Sequence, residues 1–211
     1  MRFDNKIDRA RLLNTVAAAV CILGMAAGVY LFYHNAKKTT ARSAGAVGIV
    51  FAKQHNVQRR PAGRDVWHYT GRGAALFSGD TVRTGKFSSV TIELNNGDSF
   101  TMRENTSAAV FYNVSLGGSV KLQNGEVLAS VRSGKFCLAA NGRRVYPEAG
   151  SRAVVRALAG SGDVEAYSAE GTLMLDSGEN IYILNEGESN TIGAAGALPS
   201  LWQPKEDRLA R

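Results

Sequence analysis

Residues 89–103 read Ser89-Val90-Thr91-Ile92-Glu93-Leu94-Asn95-Asn96-Gly97-Asp98-Ser99-Phe100-Thr101-Met102-Arg103. Val90, Ile92 and Leu94 alternate with polar residues, and Phe100 and Met102 resume the alternation after a break. A period of two puts one set of side chains on one face of an extended strand. At the break stands Asn96-Gly97, a pair that reaches positive φ at low cost and closes tight hairpins. The stretch therefore predicts two antiparallel strands, each burying one face.

The same grammar extends in both directions. Ser119-Val120-Lys121-Leu122 and Glu126 to Arg132 alternate in the same way, the latter with Leu128 out of phase. Gly117-Gly118, Asn124-Gly125, Asn141-Gly142 and Ser177-Gly178 read as turns between runs. A short pattern recurs: Leu, two residues, Gly, then an acid. It occurs at Leu76 to Asp80, Leu94 to Asp98, Leu122 to Glu126, Leu175 to Glu179 and Leu184 to Glu188. Its physical reading is a strand ending in a buried Leu, a glycine turn, and an acid opening the next strand. The spacing is irregular, so this is repeated hairpin chemistry and not a solenoid period. No stretch after residue 45 carries a clear helical period. The expected fold is all-β, a sandwich or β-roll of short antiparallel hairpins.

Ahead of the hairpins the period is different. Residues 12–33 read LLNTVAAAVCILGMAAGVYLFY, without a charge. As a helix these residues would rise about 33 Å, enough for a hydrocarbon core of about 30 Å. Tyr30 and Tyr33 stand at one end, and Arg2, Lys6, Arg9, Arg11, Lys37, Lys38 and Arg42 flank the stretch. The expected organisation is a short cytoplasmic N-terminus (1–11), one transmembrane helix (12–33), a linker (34–44), an all-β domain (45–192) and a C-terminal tail (193–211). A retained anchor and a cleaved signal peptide both fit this start; the long apolar stretch favours the anchor. Cys21 lies in the apolar stretch and Cys137 in a strand, so no intrachain disulfide is expected.

The formal charge of +7 is unevenly placed. Residues 43–156 hold 15 basic and 7 acidic side chains; residues 157–211 hold 3 basic and 9 acidic ones. These regions can neutralise each other within one chain, or they can join one copy to another as a homo-oligomer. The basic excess at the start of the chain serves topology, so no nucleic-acid partner is expected. Arg59-Arg60 and Arg143-Arg144 are basic pairs in predicted loops and, with Trp202, are candidate partner contacts.

From Gly79-Asp80-Thr81-Val82-Arg83-Thr84-Gly85 onward the sequence resembles a FecR-type domain. The resemblance rests on Gly79-Asp80, Thr84, the strand Val90 to Leu94, Asn96-Gly97 and Asn105-Thr106, and continues through Leu122 to Val131 and Gly162 to Glu179. It spans roughly residues 45–188. It implies a bacterial inner-membrane protein with a periplasmic all-β domain, and it makes Gly79, Asp80, Thr84, Asn96, Gly97, Asn105 and Thr106 a structural turn motif. The best-known members of that family relay a signal to a cytoplasmic sigma factor. Only eleven residues precede the apolar stretch here, too few to fold into an anti-sigma domain.

The reading is therefore a non-enzymatic, membrane-anchored module binding protein partners in the cell envelope. A single-pass sensory regulator is the alternative. No catalytic residue, cofactor or metal is expected. His34, His55 and His68 are isolated, and Gly79 to Lys86 lacks the spacing and the Ser/Thr of a phosphate loop.

Overall fold

The computed structural model describes residues 14–30, 45–158, 160–193 and 196–198. Residues 14–30 form one α-helix, whose Val16, Val20, Ile22, Leu23, Met25, Val29 and Tyr30 are all exposed. No described helix is long and apolar enough to cross a membrane. The flanking residues of the expected 12–33 span lie outside the described ones. This segment and the domain from residue 44 onward form two separate units.

Among the described residues the domain holds seventeen strands. They are β1 (Gly48–Gln54), β2 (Val57–Arg60), β3 (His68–Tyr69), β4 (Ala75–Leu76), β5 (Asp80–Thr84), β6 (Ser89–Leu94), β7 (Ser99–Met102), β8 (Ser107–Asn113) and β9 (Gly117–Ser130). They continue as β10 (Phe136–Ala140), β11 (Arg143–Pro147), β12 (Arg152–Ala157), β13 (Val164–Glu170), β14 (Leu173–Asp176), β15 (Ile181–Leu184), β16 (Ser189–Gly193) and β17 (Gly196–Leu198). The expected hairpin of residues 89–103 is β6–β7, with Val90 opposite Met102 and Ile92 opposite Phe100.

Two sheets share one strand. Sheet A has the order β4-β1-β6-β7-β9-β12-β13-β16-β17. Sheet B has the order β3-β2-β5-β8-β9-β10-β11-β14-β15. The fourteen-residue β9 pairs in sheet B through its first half and in sheet A through its second. Beyond β9 the hairpins β10–β11, β12–β13, β14–β15 and β16–β17 are laid alternately on the two sheets. The result is a β-roll that lengthens in one direction. Among the described residues, β9 with β10 is the one parallel pair.

This corrects the reading of two segments. Asn124-Gly125 is not a turn between separate strands; it is a bulge inside β9, where Ser107 opposes Asn124 but Ala108 already opposes Leu122. Gly117-Gly118 likewise opens β9 instead of forming the preceding turn. The bulge has a physical purpose. In sheet B, Gly118, Val120 and Leu122 of β9 are buried on one face; in sheet A the inward set is Val127 and Ala129, continued by Val131 just after the strand. Even positions face the core before the bulge and odd ones after it, and one extra residue is what changes that phase. Arg59-Arg60 and Arg143-Arg144 were expected in loops and lie in β2 and β11. The tail expected from residue 193 opens with a further strand, β17, paired to β16.

Between the sheets runs one continuous apolar core that includes Val50, Leu76, Ile92, Met102, Leu122, Leu138, Val155, Leu173, Leu175 and Ile192. Phe100 of sheet A and Phe136 of sheet B meet with ring centroids 6.2 Å apart. Full burial of side chains this size contributes about 1.5–3 kcal/mol each before chain entropy is counted.

Gly125 has φ +92°, and a Cβ there would lie 2.3 Å from Thr106 Oγ1 and 2.6 Å from Thr106 Cα. Gly142 has φ +80° with open space around it. Gly125→Ala is expected to cost about 2–5 kcal/mol, from left-handed backbone strain plus overpacking, and Gly142→Ala only about 1–2 kcal/mol, from strain alone. Urea denaturation of both variants, read by near-ultraviolet circular dichroism, checks the ordering.

Candidate interaction surfaces

The turn motif is buried machinery of the backbone. Asp80 is fully buried; its Oδ1 accepts from the Ala62 amide at 3.1 Å and its Oδ2 from the Phe77 amide at 3.0 Å. Arg59 Nε lies 3.4 Å from the same carboxylate, and its guanidinium also donates to the Ala75 carbonyl. Gly79, with φ +86°, turns the chain into this clamp. Thr84 Oγ1 accepts from the Thr106 amide at 3.0 Å, and Thr106 Oγ1 accepts from the Glu126 amide at 3.0 Å. These two threonines tie β5, β8 and β9 together beside the bulge. Asn124 Nδ2 donates to the Asn105 carbonyl at 2.7 Å, on the other flank of it. Asn96-Gly97 makes the β6–β7 turn. The adjoining, fully buried Asp98 accepts from the Arg132 and Ser133 amides at 2.7 and 2.9 Å, fixing the return from β9 to β10.

The four arginines proposed as contacts divide by role. Arg59 is committed to Asp80. Arg143 is committed to carbonyls: it donates to Asn141 at 2.6 Å and to Gly193 at 2.7 Å, pinning the end of β16. Arg60 and Arg144 lie on the outer face of sheet B and belong to one cross-strand row with Thr81, Ala109, Lys121, Ala139 and Asp176. Trp67 carries two guanidinium groups over its ring, Arg83 at 4.1 Å and Arg60 at 5.1 Å from the centroid. Trp202 lies outside the described residues.

The outer face of sheet A carries a charge ladder that the sequence did not reveal. Glu126, nearly buried, is 2.6 Å from Arg156 and 3.8 Å from Arg103; Arg156 is 3.2 Å from Glu165. Strands β9, β12 and β13, with the residue that follows β7, thus present alternating signs along one row. The ladder borders a groove of about 1170 Å³ that also takes in Phe87, Thr101 and Leu128. Its charges are mutually satisfied, which holds β9 to β12 and β12 to β13. Glu126 and Arg103 are 23 residues apart in the chain, and nothing local marks them as neighbours.

On sheet B a second row runs Phe111, Ser119, Cys137, Tyr146, Met174 and Ile183, one residue per strand. Burial pushes the Cys137 thiol above the ordinary thiol range; the Tyr146 hydroxyl, the nearby Arg144 and the Ser119 hydroxyl oppose that weakly. The row ends at β15, which pairs with β14 on one side and, among the described residues, with no strand on the other. Ile181 and Ile183 of β15 are 65% and 67% exposed. An uncharged edge strand with two exposed β-branched residues is a ready template for strand addition.

No family model matches, and no curated relative matches. Among solved structures, a candidate anti-sigma factor from Parabacteroides distasonis is similar in two crystal structures, at 1.65 and 2.50 Å. Both are 16% identical to this chain and cover 57% of it and 58% of the other, with TM-scores of 0.49 and 0.50. The match therefore spans little more than half of either protein, and at this identity it concerns the all-β fold.

Two outcomes follow from the clamp and the thiol. Asp80→Ala strands Arg59 and two amides, so it should cost about 3–5 kcal/mol, whereas Lys121→Ala on the solvated face should stay within about 0.5 kcal/mol. Chemical denaturation midpoints give both values. In a Cys21→Ser background, iodoacetamide should alkylate Cys137 more slowly at pH 8 than it alkylates a free thiol. The rate should climb with pH beyond the free thiol's plateau, because only the thiolate reacts. An early plateau would contradict the burial effect.

Proposed function

We propose that this chain is a non-enzymatic protein-binding module of the bacterial cell envelope, held at the cytoplasmic membrane by its N-terminal segment with the β-roll on the extracytoplasmic side. The observation that carries the binding role is the β15 edge, which no other strand covers among the described residues, with exposed Ile181 and Ile183. Soluble domains mask such edges unless another chain uses them, and strand addition supplies affinity through main-chain hydrogen bonds and specificity through alternate side chains. The anchor is supported by the uncharged residues 12–33, the exposed apolar surface of the helix at residues 14–30, and the basic flanks. The FecR-type resemblance supports the compartment.

A photo-crosslinking amino acid at position 183 should capture a protein in intact cells, identified by mass spectrometry; the same probe at exposed Lys121 is the control. Equal, non-specific labelling at both positions would remove the basis for the binding role. In spheroplasts, added protease should digest the β-roll while cytoplasmic markers survive, and protection of the roll would overturn the stated orientation.

One observation favours a second reading. The all-β fold is shared with a candidate anti-sigma factor, which fits a sensory regulator that reports an extracytoplasmic state to a cytoplasmic partner. A pull-down of the detergent-solubilised full chain that recovers a sigma factor through its N-terminal residues would favour this reading over a scaffold.

A further inference from the structure

The two ends of the roll carry opposite charge. Residues 58–72, around β2 and β3, hold four arginines and one aspartate. Residues 176–188, around β15, hold four acids and no base. Arg64, Arg72, Glu179, Glu186 and Glu188 are all exposed. Nine strands of sheet B separate the ends, which is eight inter-strand steps, or about 38 Å. Charges that far apart are screened from one another, since the Debye length at physiological salt is about 8 Å. The basic and acidic stretches meet within the chain elsewhere, at β12 and β13, through Arg156 with Glu165 and Arg152 with Glu170. The acids around β15 are beyond that seam.

Both ends of sheet B are also open strands. Among the described residues β15 pairs only with β14, and β3 only with β2. The pairings fix the direction of each. Counting antiparallel and parallel steps from β9, β3 runs with β9 and β15 runs against it. A copy translated along the sheet therefore presents its β3 antiparallel to β15 of the first, the more favourable ladder. Face is matched as well as direction. Tyr69 of β3, 76% exposed, lies on the same outer face as Ile181 and Ile183.

We propose that the partner at the β15 edge is a second copy of this chain, joined head to tail so that β15 of one copy pairs with β3 of the next. This rests on the protein-binding reading above and names its partner. The contact is heterologous, so each copy added leaves a fresh β15 and a fresh β3 at the ends, and the assembly is an open chain. The two-residue β3 keeps each contact short, and the charges make it sensitive to salt.

The test uses the full chain in a non-ionic detergent, followed by sedimentation velocity across protein concentration at 50 and 500 mM salt. The expected result is a series extending past the dimer at low salt that collapses toward monomer at high salt. Arg64→Glu with Arg72→Glu makes both ends acidic, and Glu179→Lys, Glu186→Lys and Glu188→Lys together make both ends basic. Each multiple variant alone should remain monomeric, and an equimolar mixture of the two should associate again. Rescue on mixing excludes misfolding as the reason for monomers and excludes association through the N-terminal helix. A wild-type chain that is monomeric at every salt and concentration, a series that stops at a closed dimer, or a mixture that stays monomeric would each overturn the proposal. If the chain is monomeric while the probe at position 183 still captures a different protein, the self-pairing fails and the protein-binding reading stands.

Discussion

One extra residue in β9 decides whether the two sheets share a core. Without the bulge beside Gly125, the side chains sent inward in sheet A would be Glu126, Leu128 and Ser130 in place of Val127 and Ala129 of β9 and Val131 just after it. A charged residue and a serine would enter the interior and two valines would leave it. The neighbours show how firmly the phase is held. Thr106 occupies the space a Cβ at position 125 would need, and it binds the Glu126 backbone. Thr84 then binds Thr106. A glycine, two threonines and an asparagine thus serve one backbone irregularity, and both sheets are assembled from it outward.

The same logic explains why the polar motif residues are buried. Asp80 and Asp98 use their carboxylates as acceptors for amides outside the strand ladders, those of Ala62 and Phe77 in the first case and of Arg132 and Ser133 in the second. A buried amide left without an acceptor costs about 1–3 kcal/mol. A carboxylate that accepts two of them is stabilising despite its own desolvation. These buried carboxylates are therefore occupied with the backbone. The surfaces available to other molecules are the outer faces and the strand edges.

How much of this was legible in the sequence depends on the range of the interaction. Hairpins were legible, because alternation and an Asn-Gly or Ser-Gly pair act within a dozen residues. The Leu, Gly, acid pattern shows the limit. At Leu76, Leu94, Leu175 and Leu184 the glycine has positive φ and ends a strand; at Leu122 the same pattern has a glycine with positive φ inside a continuous strand. The difference lies in Thr106 and the strands on both sides, which are not local. The out-of-phase Leu128 was the visible trace of it: Leu128 packs on the outer face of sheet A, opposite Val154 and Thr101. The basic pairs lie in strands although their charge suggests solvated loops. Alternation alone permits one arginine to point out of a strand while its neighbour pins a carbonyl, as in Arg143-Arg144. The Arg103, Glu126, Arg156, Glu165 ladder was invisible for the same reason as the bulge, since its members come from three strands and the residue after a fourth.

The alternate laying of hairpins on two sheets makes the domain a ruler. Each hairpin after β9 widens one sheet by two strands, or about 10 Å, and leaves the opposite end untouched. Duplication or loss of one hairpin pair would therefore change the reach of the molecule in fixed increments while preserving both termini of the roll. Distance between the ends becomes a quantity that evolution or an engineer can set by counting hairpins, without redesigning a core.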